Sequence, residues 1–217
     1  GFDHAIVGVG DLARAEANFR GLGFTVTARP DTGATETENR LVCFADGSYI
    51  EIFSLRDATR PSTHRWAPML ARGDGWVDYA VRVEDVTAEA QRLSQTALPN
   101  SGPRSAGRTL TDGRRWGAAV LLMGRGVGSP LLPFLIQDTE AREVRVPAGD
   151  AAVQPHGITG IAGVTLVTAA LSEAALATIF GPGKAVPPRL PGATAARRYG
   201  FAGRWVEVIE ACAAASE

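Results

Sequence analysis

From Phe2 to Val9 β-branched and aromatic residues alternate with small or polar ones, which predicts a strand at the head of the chain. Side chains along a strand change face at every residue. His4 therefore shares a face with Ile6 and Gly8, while Ala5, Val7 and Val9 make an apolar face behind it. The rhythm then becomes helical. Leu12, Ala15, Phe19 and Leu22 recur at helix spacing, Asp11 supplies an N-cap and Gly23 a stop. Residues 24–28 form a short strand ended by Pro30, and a polar Gly/Thr/Glu segment leads to Asn39. Residues 40–44 and 49–53 are strands joined across the turn signal Asp46-Gly47. Glu51 lies on one face with Tyr49 and Phe53. The order is β-α-β-β-β.

That order repeats. After a polar connection at 56–75 carrying Pro61 and Pro68, residues 76–83 read as a strand. Asp85 caps a helix bearing Val86, Ala90 and Leu93. A Gly/Pro/Ser stretch at 99–107 holds at most a weak strand, and residues 115–123 and 132–137 are strands around a Gly-rich loop at 124–129. A linker over 138–157 precedes a third, more degraded echo. Residues 161–168 are a strand, and Ser172 caps a helix with Leu176, Ile179 and Phe180 that Gly181 ends. The Pro-rich stretch 182–191 reads as irregular, and residues 197–201 and 205–209 as a hairpin. The pattern predicts an α+β fold of three βαβββ modules at 1–55, 76–138 and 158–212.

Composition narrows the function classes. The 217 residues carry a net charge of −1, which provides no electrostatic footprint for nucleic acid or an anionic membrane. No apolar run approaches the roughly 20 residues that span a bilayer. Cys43 and Cys212 sit in apolar surroundings without metal or redox spacing, so they read as buried free thiols suited to a reducing cytoplasm. No Gly-x-Ser-x-Gly elbow marks a covalent nucleophile, and Gly8-x-Gly10 lacks the third glycine of a dinucleotide loop.

The chemistry concentrates in the first module. An imidazole and a carboxylate, His4 and Glu51, stand on the less uniformly apolar faces of their strands, as metal ligands or as an acid/base pair. Arg114-Arg115-Trp116 reads either as a clamp for an anionic or aromatic ligand or as the polar rim of a hairpin. His156 reads as a loop hydrogen-bonding group, and His64 carries no signal.

Residues 2–12, the helix ending Gly21-Leu22-Gly23-Phe24 and Asp46-Gly47-Ser48-Tyr49-Ile50-Glu51-Ile52 together resemble the vicinal oxygen chelate superfamily. That superfamily includes glyoxalase I, bleomycin-resistance proteins and extradiol dioxygenases. Thr37-Glu38-Asn39-Arg40-Leu41, Pro133-Phe134-Leu135-Ile136 and the run from His156 to Ile161 resemble its glyoxalase-like domain group. The resemblance implies curved mixed sheets around a cleft, with modules 1 and 2 paired. The third module is then expected to pack alongside or to pair across a homodimer.

Ligands in that superfamily come from the first and last strands of each module, so the resemblance implies His4 and Glu51 from module 1. In module 2 the matching places hold Asp78 and Phe134, and in module 3 Gly163 and Glu207. The implied metal set is His4, Glu51 and Asp78, with Zn, Ni, Mn or Fe as candidate ions. Glu51 or Glu207 would be the general base, and Tyr49, Phe53, Arg115, Trp116 and Phe134 would bind substrate. The resemblance implies a metal-dependent lyase or isomerase working through an enediolate-type intermediate, with dioxygenase chemistry a weaker branch. The alternative is a metal-free protein that sequesters a small hydrophobic or aromatic molecule.

Overall fold

Local signals and tertiary packing agree closely in the first module. A computed structural model describes residues 1–33, 35–124, 126, 128–129, 131–168 and 173–211. Ser172 and Cys212, read above as a helix cap and a free thiol, lie outside the described residues. Strand β1 (Phe2–Gly8) leads into helix α1 (Leu12–Gly21), followed by β2 (Thr27–Ala28), β3 (Thr37–Cys43) and β4 (Tyr49–Leu55). Asp11 caps α1 by accepting the Arg14 amide at 2.9 Å. Gly23, at φ +90°, supplies the left-handed residue after it.

A short helix α2 (Ala67–Leu70) lies in the first connection. Next come β5 (Gly75–Arg82), α3 (Val86–Ser94), β6 (Asn100–Thr109), β7 (Arg115–Met123) and β8 (Phe134–Asp138). The Gly/Pro/Ser stretch, read as a weak strand, is the ten-residue strand β6. Its place at the sheet edge explains why Pro103 is tolerated, since one side of an edge strand needs no partner. The linker after β8 contains helix α4 (Arg142–Arg145), which sequence periodicity did not reveal. Last come β9 (Gly163–Thr168), α5 (Glu173–Phe180), β10 (Lys184–Ala185), β11 (Ala193–Phe201) and β12 (Arg204–Ala211).

The first eight strands form one curled sheet in the order β2-β3-β4-β1-β5-β8-β7-β6. The seam is the antiparallel pair β1/β5, with His4 opposite Ala80. The remaining strands make a second sheet, β10-β11-β12-β9. The mixed α+β architecture with a curled sheet is the one expected.

Helices and the second sheet cover the back of the large sheet. Leu12 and Ala15 of α1 pack with Val42 and Ile52. Val86 and Leu93 of α3 pack with Phe2, Tyr79 and Leu121, and Leu176, Tyr199, Val206 and Val208 complete that cluster. Burial of these side chains, each worth about 1.5–3 kcal/mol, fixes which face of every strand is left for the cleft. No helix among the described residues is long and apolar enough to cross a membrane.

Candidate active site

Strand parity decides what the concave face presents. From β1 it receives His4, from β4 Tyr49, Glu51 and Phe53, from β7 Trp116, and from β8 Phe134; all line one cavity of about 200 Å³. This is smaller than the roughly 300–1,000 Å³ typical of drug-sized ligands, so it suits a molecule of few heavy atoms. A larger recess, about 590 Å³, opens on the opposite face between Ala5, Ile50 and β9. Its lining is mostly aliphatic. The ionisable groups converge instead on the smaller cavity.

At the cavity floor Asp3, His4 and Glu51 form a line. His4 Nδ1 lies 2.6 Å from Asp3 Oδ1, and both residues are buried. A carboxylate only accepts, so Nδ1 carries the hydrogen and Nε2 is turned inward. Nε2 stands 3.5 Å from Glu51 Oε2. The other Glu51 oxygen accepts from Asn39 Nδ2 at 2.5 Å. The imidazole is stacked on Tyr49 with centroids 4.4 Å apart and meets the edge of Phe134 at 5.4 Å. Its two rotational freedoms are therefore fixed by rings, and its tautomer by a carboxylate.

Asp3 is itself anchored. Arg145 donates to its two oxygens at 2.9 and 3.0 Å, and Arg142 adds a contact at 2.8 Å. Burial alone would raise the Asp3 carboxyl, but the Arg145 guanidinium and the His4 hydrogen bond outweigh it and hold it well below the usual carboxylate range. Arg145 also grips Asp138 and donates to the Tyr49 hydroxyl at 2.8 Å. Burial pushes that hydroxyl far up, so Tyr49 is a neutral wall.

The other sequence-derived candidates scatter. Arg115 is exposed, on the opposite side of β7 from Trp116. Asp78 is buried beside the seam, but its carboxylate accepts from Arg65 Nη2 at 2.6 Å, Trp66 Nε1 at 2.8 Å and the Tyr79 amide at 2.8 Å. Burial, only partly offset by Arg65, pushes its carboxyl up to about 6. Glu207 lies in the second sheet, held by Arg198 at 2.5 and 2.9 Å, and does not line the His4 cavity.

The register shows that these are nevertheless equivalent places. Glu51 sits opposite Ile6, Phe134 opposite Ala80 and Glu207 opposite Thr165, each two residues beyond His4, Asp78 and Gly163 respectively. A β-carbon on Gly163 would come within 2.3 Å of the Trp205 carbonyl oxygen and 2.4 Å of its indole. No side chain fits there, which accounts for the missing imidazole. Among the described residues no three His, Cys, Asp or Glu side chains gather as a metal site would require. The cavity is lined by the imidazoles of His4 and His64 and by the Glu51 carboxylate, with the buried Arg29 guanidinium beside them. These donors do not converge as the ligands of one resident divalent ion would.

Several contributors escaped the sequence reading. Asn39, which fixes Glu51, lay in a stretch noted only for its resemblance. Arg29 precedes Pro30 in a segment without periodicity. Arg145 sits in the linker after β8, where nothing local signals that its guanidinium reaches Asp3. His64 lies 4.8 Å from the Phe53 ring and 5.0 Å from Trp66, and burial pushes its imidazole down. Arg108, which also lines the cavity, donates to Asp31 and to the Thr37 carbonyl.

A comparison with curated proteins finds no match. Among solved structures, a hypothetical protein from Staphylococcus aureus superposes with a TM-score of 0.71 at 15% identity, over 96% of this chain and 85% of that one. Methylmalonyl-CoA epimerase from Mycobacterium tuberculosis matches with a TM-score of 0.46 at 19% identity, over 64% of this chain and 86% of that one. A Streptomyces coelicolor methylmalonyl-CoA epimerase in complex with 2-nitronate-propionyl-CoA gives 0.47 at 18%, over 64% and 97%. A family model described as a glyoxalase-like domain matches residues 2–179. The chain therefore belongs to the glyoxalase-like domain family.

Proposed function

We propose that the cleft catalyses proton transfer on a small oxygen-bearing molecule, as a lyase or isomerase working through an enediolate-type intermediate. The observation that carries this reading is the line Asp3–His4···Glu51 at the floor of an aromatic-walled cavity. Glu51 takes a proton from a carbon next to a carbonyl, and the electron pair moves onto the carbonyl oxygen. The proton passes from Glu51 to the bare Nε2 of His4, which Asp3 holds in the Nδ1–H tautomer, and Nε2 then delivers it to the neighbouring atom. Asn39 keeps Glu51 aimed inward. The ring walls exclude water from the intermediate and strengthen each electrostatic contact. No step runs through a metal ion, because the side chains of the described residues do not gather into a site for one.

A second reading is sequestration without chemistry, favoured by the aromatic lining of Tyr49, Phe53, Trp66, Trp116 and Phe134. Deuterium exchange separates the two. The protein is incubated in D₂O with a panel of three- to five-carbon carbonyl compounds, roughly the range so small a cavity admits, and C–H loss is followed by NMR. Exchange in the wild type that disappears in Glu51→Gln and His4→Gln supports proton transfer. Tight binding with no exchange for any compound supports sequestration and refutes the catalytic reading.

A further inference from the structure

The proton-transfer pair leaves one buried charge in the cavity unused. Arg29 lines it and is only 7% exposed. Its Nη1 donates to the Arg145 carbonyl at 2.9 Å, and its guanidinium carbon lies 4.7 Å from the centre of the Trp116 ring. Among the described residues it makes no ion pair. The other cations at this site are answered: Arg108 by Asp31, and Arg145 by Asp3 and Asp138. Two neighbouring donors, Arg29 Nε and Trp116 Nε1, are buried without any acceptor.

Buried donors without partners are rare in native proteins, and an unpaired buried cation rarer still. Glu51 does not fill the role, since its oxygens face Asn39 and His4. Its field favours the charged form of Arg29, but burial outweighs that and lowers the guanidinium's hold on its proton. Bulk water does not reach the two orphan donors, so an acceptor must arrive through the cavity. The acceptor must also be small, and it must tolerate the Glu51 carboxylate nearby. A phosphate dianion would meet repulsion and only one free cation. A single planar carboxylate matches the fork of one guanidinium.

We propose that Arg29, with the Trp116 indole N–H beside it, binds the carboxylate of a small monocarboxylate substrate. This rests on the proton-transfer reading of the same cleft, to which it adds the substrate class. The carboxylate end is held at Arg29, which leaves the adjacent carbonyl and its C–H to face His4 and Glu51. Trp116 then serves twice, as the platform under the guanidinium and as a hydrogen-bond donor.

The test is calorimetric titration of the full chain with pyruvate, its uncharged ester methyl pyruvate, and inorganic phosphate. Pyruvate is expected to bind wild type, and to bind Glu51→Gln at least as tightly because a nearby negative charge is removed, with methyl pyruvate and phosphate much weaker. Arg29→Met should weaken pyruvate binding by about 30-fold or more, the scale of losing one partner of a desolvated charge pair. Arg29→Lys should recover part of that loss. Equal pyruvate binding by wild type and Arg29→Met, equal binding of acid and ester, or no pyruvate binding by wild type each overturns the proposal. If circular dichroism shows Arg29→Met misfolded, Trp116→Phe keeps the ring and removes only the N–H. Weaker pyruvate binding is then expected, and unchanged binding overturns the assignment. Arg29-dependent binding with no proton exchange for any carbonyl acid would leave the carboxylate site standing while refuting the catalytic reading.

Discussion

Replacing Asp3 by Asn tests whether the buried ion network holds the first strand in place. Asp3 receives two contacts from Arg145, one from Arg142 and one from His4 Nδ1, all between 2.6 and 3.0 Å. Asparagine keeps the shape but replaces one acceptor oxygen with an NH₂ group that points at other donors. Arg145, 2% exposed, would keep Asp138 as its carboxylate partner. Breaking a buried pair costs about 3–5 kcal/mol, and the surviving Asp138 places the expected loss near the lower end, about 3 kcal/mol. Urea denaturation followed by far-UV circular dichroism measures it. A double-mutant cycle with Arg145→Met should return a coupling above about 1 kcal/mol. The pH dependence provides a second readout. The folded Asp3 carboxyl lies well below its unfolded value, so its stabilisation is complete above about pH 4 and lost as pH falls further. Asp3→Asn should therefore flatten the acid limb of the stability curve. A loss under about 1 kcal/mol with an unchanged acid limb would refute the network argument.

Asp78 titrates in the opposite sense. Its folded carboxyl is pushed up to about 6 against roughly 3.9 unfolded, so its contribution is greatest below pH 4 and declines by about 3 kcal/mol as pH rises through 6. Asp78→Asn should remove that decline from denaturation curves between pH 4 and 7, and a slope identical to wild type contradicts the assignment. Gly163→Ala should destabilise the second sheet by about 1–3 kcal/mol, because a β-carbon strikes Trp205; differential scanning calorimetry reads it, and an unchanged Tm rules the clash out. The buried Cys43 thiol, pushed up to about 11, should resist alkylation at pH 8 until denaturant is added; rapid labelling of the folded protein at Cys43, located by mass spectrometry, contradicts its burial.

Much of the fold could be read from residue pattern because each module is short and its signals are local. Asp11 and Asp85 cap their helices as the pattern implied, and two-residue alternation put His4, Tyr49, Glu51 and Phe53 on one face. Strand β6 was legible only weakly, since edge strands tolerate the Gly and Pro that argue against an inner one. The site was half legible. His4 and Glu51 lie on periodic strands, where spacing carries information. Arg29, Arg145 and the role of Asp3 depend on contacts across more than a hundred residues, such as Arg145 with Asp3, and no local pattern encodes them. Composition likewise gave no warning that Asp78 would be consumed by Arg65 and Trp66.

The central claim is that Asp3 fixes the His4 tautomer so that Nε2 faces Glu51 and a proton can pass between them. The chain has three histidines, so long-range ¹H–¹⁵N spectra of the ¹⁵N-labelled protein resolve each ring. The account predicts that His4 carries its hydrogen on Nδ1 in wild type, and that its Nε2 resonance moves in Glu51→Gln while His156 stays unchanged. A His4 ring protonated on Nε2 alone, or one indifferent to Glu51→Gln, would contradict it.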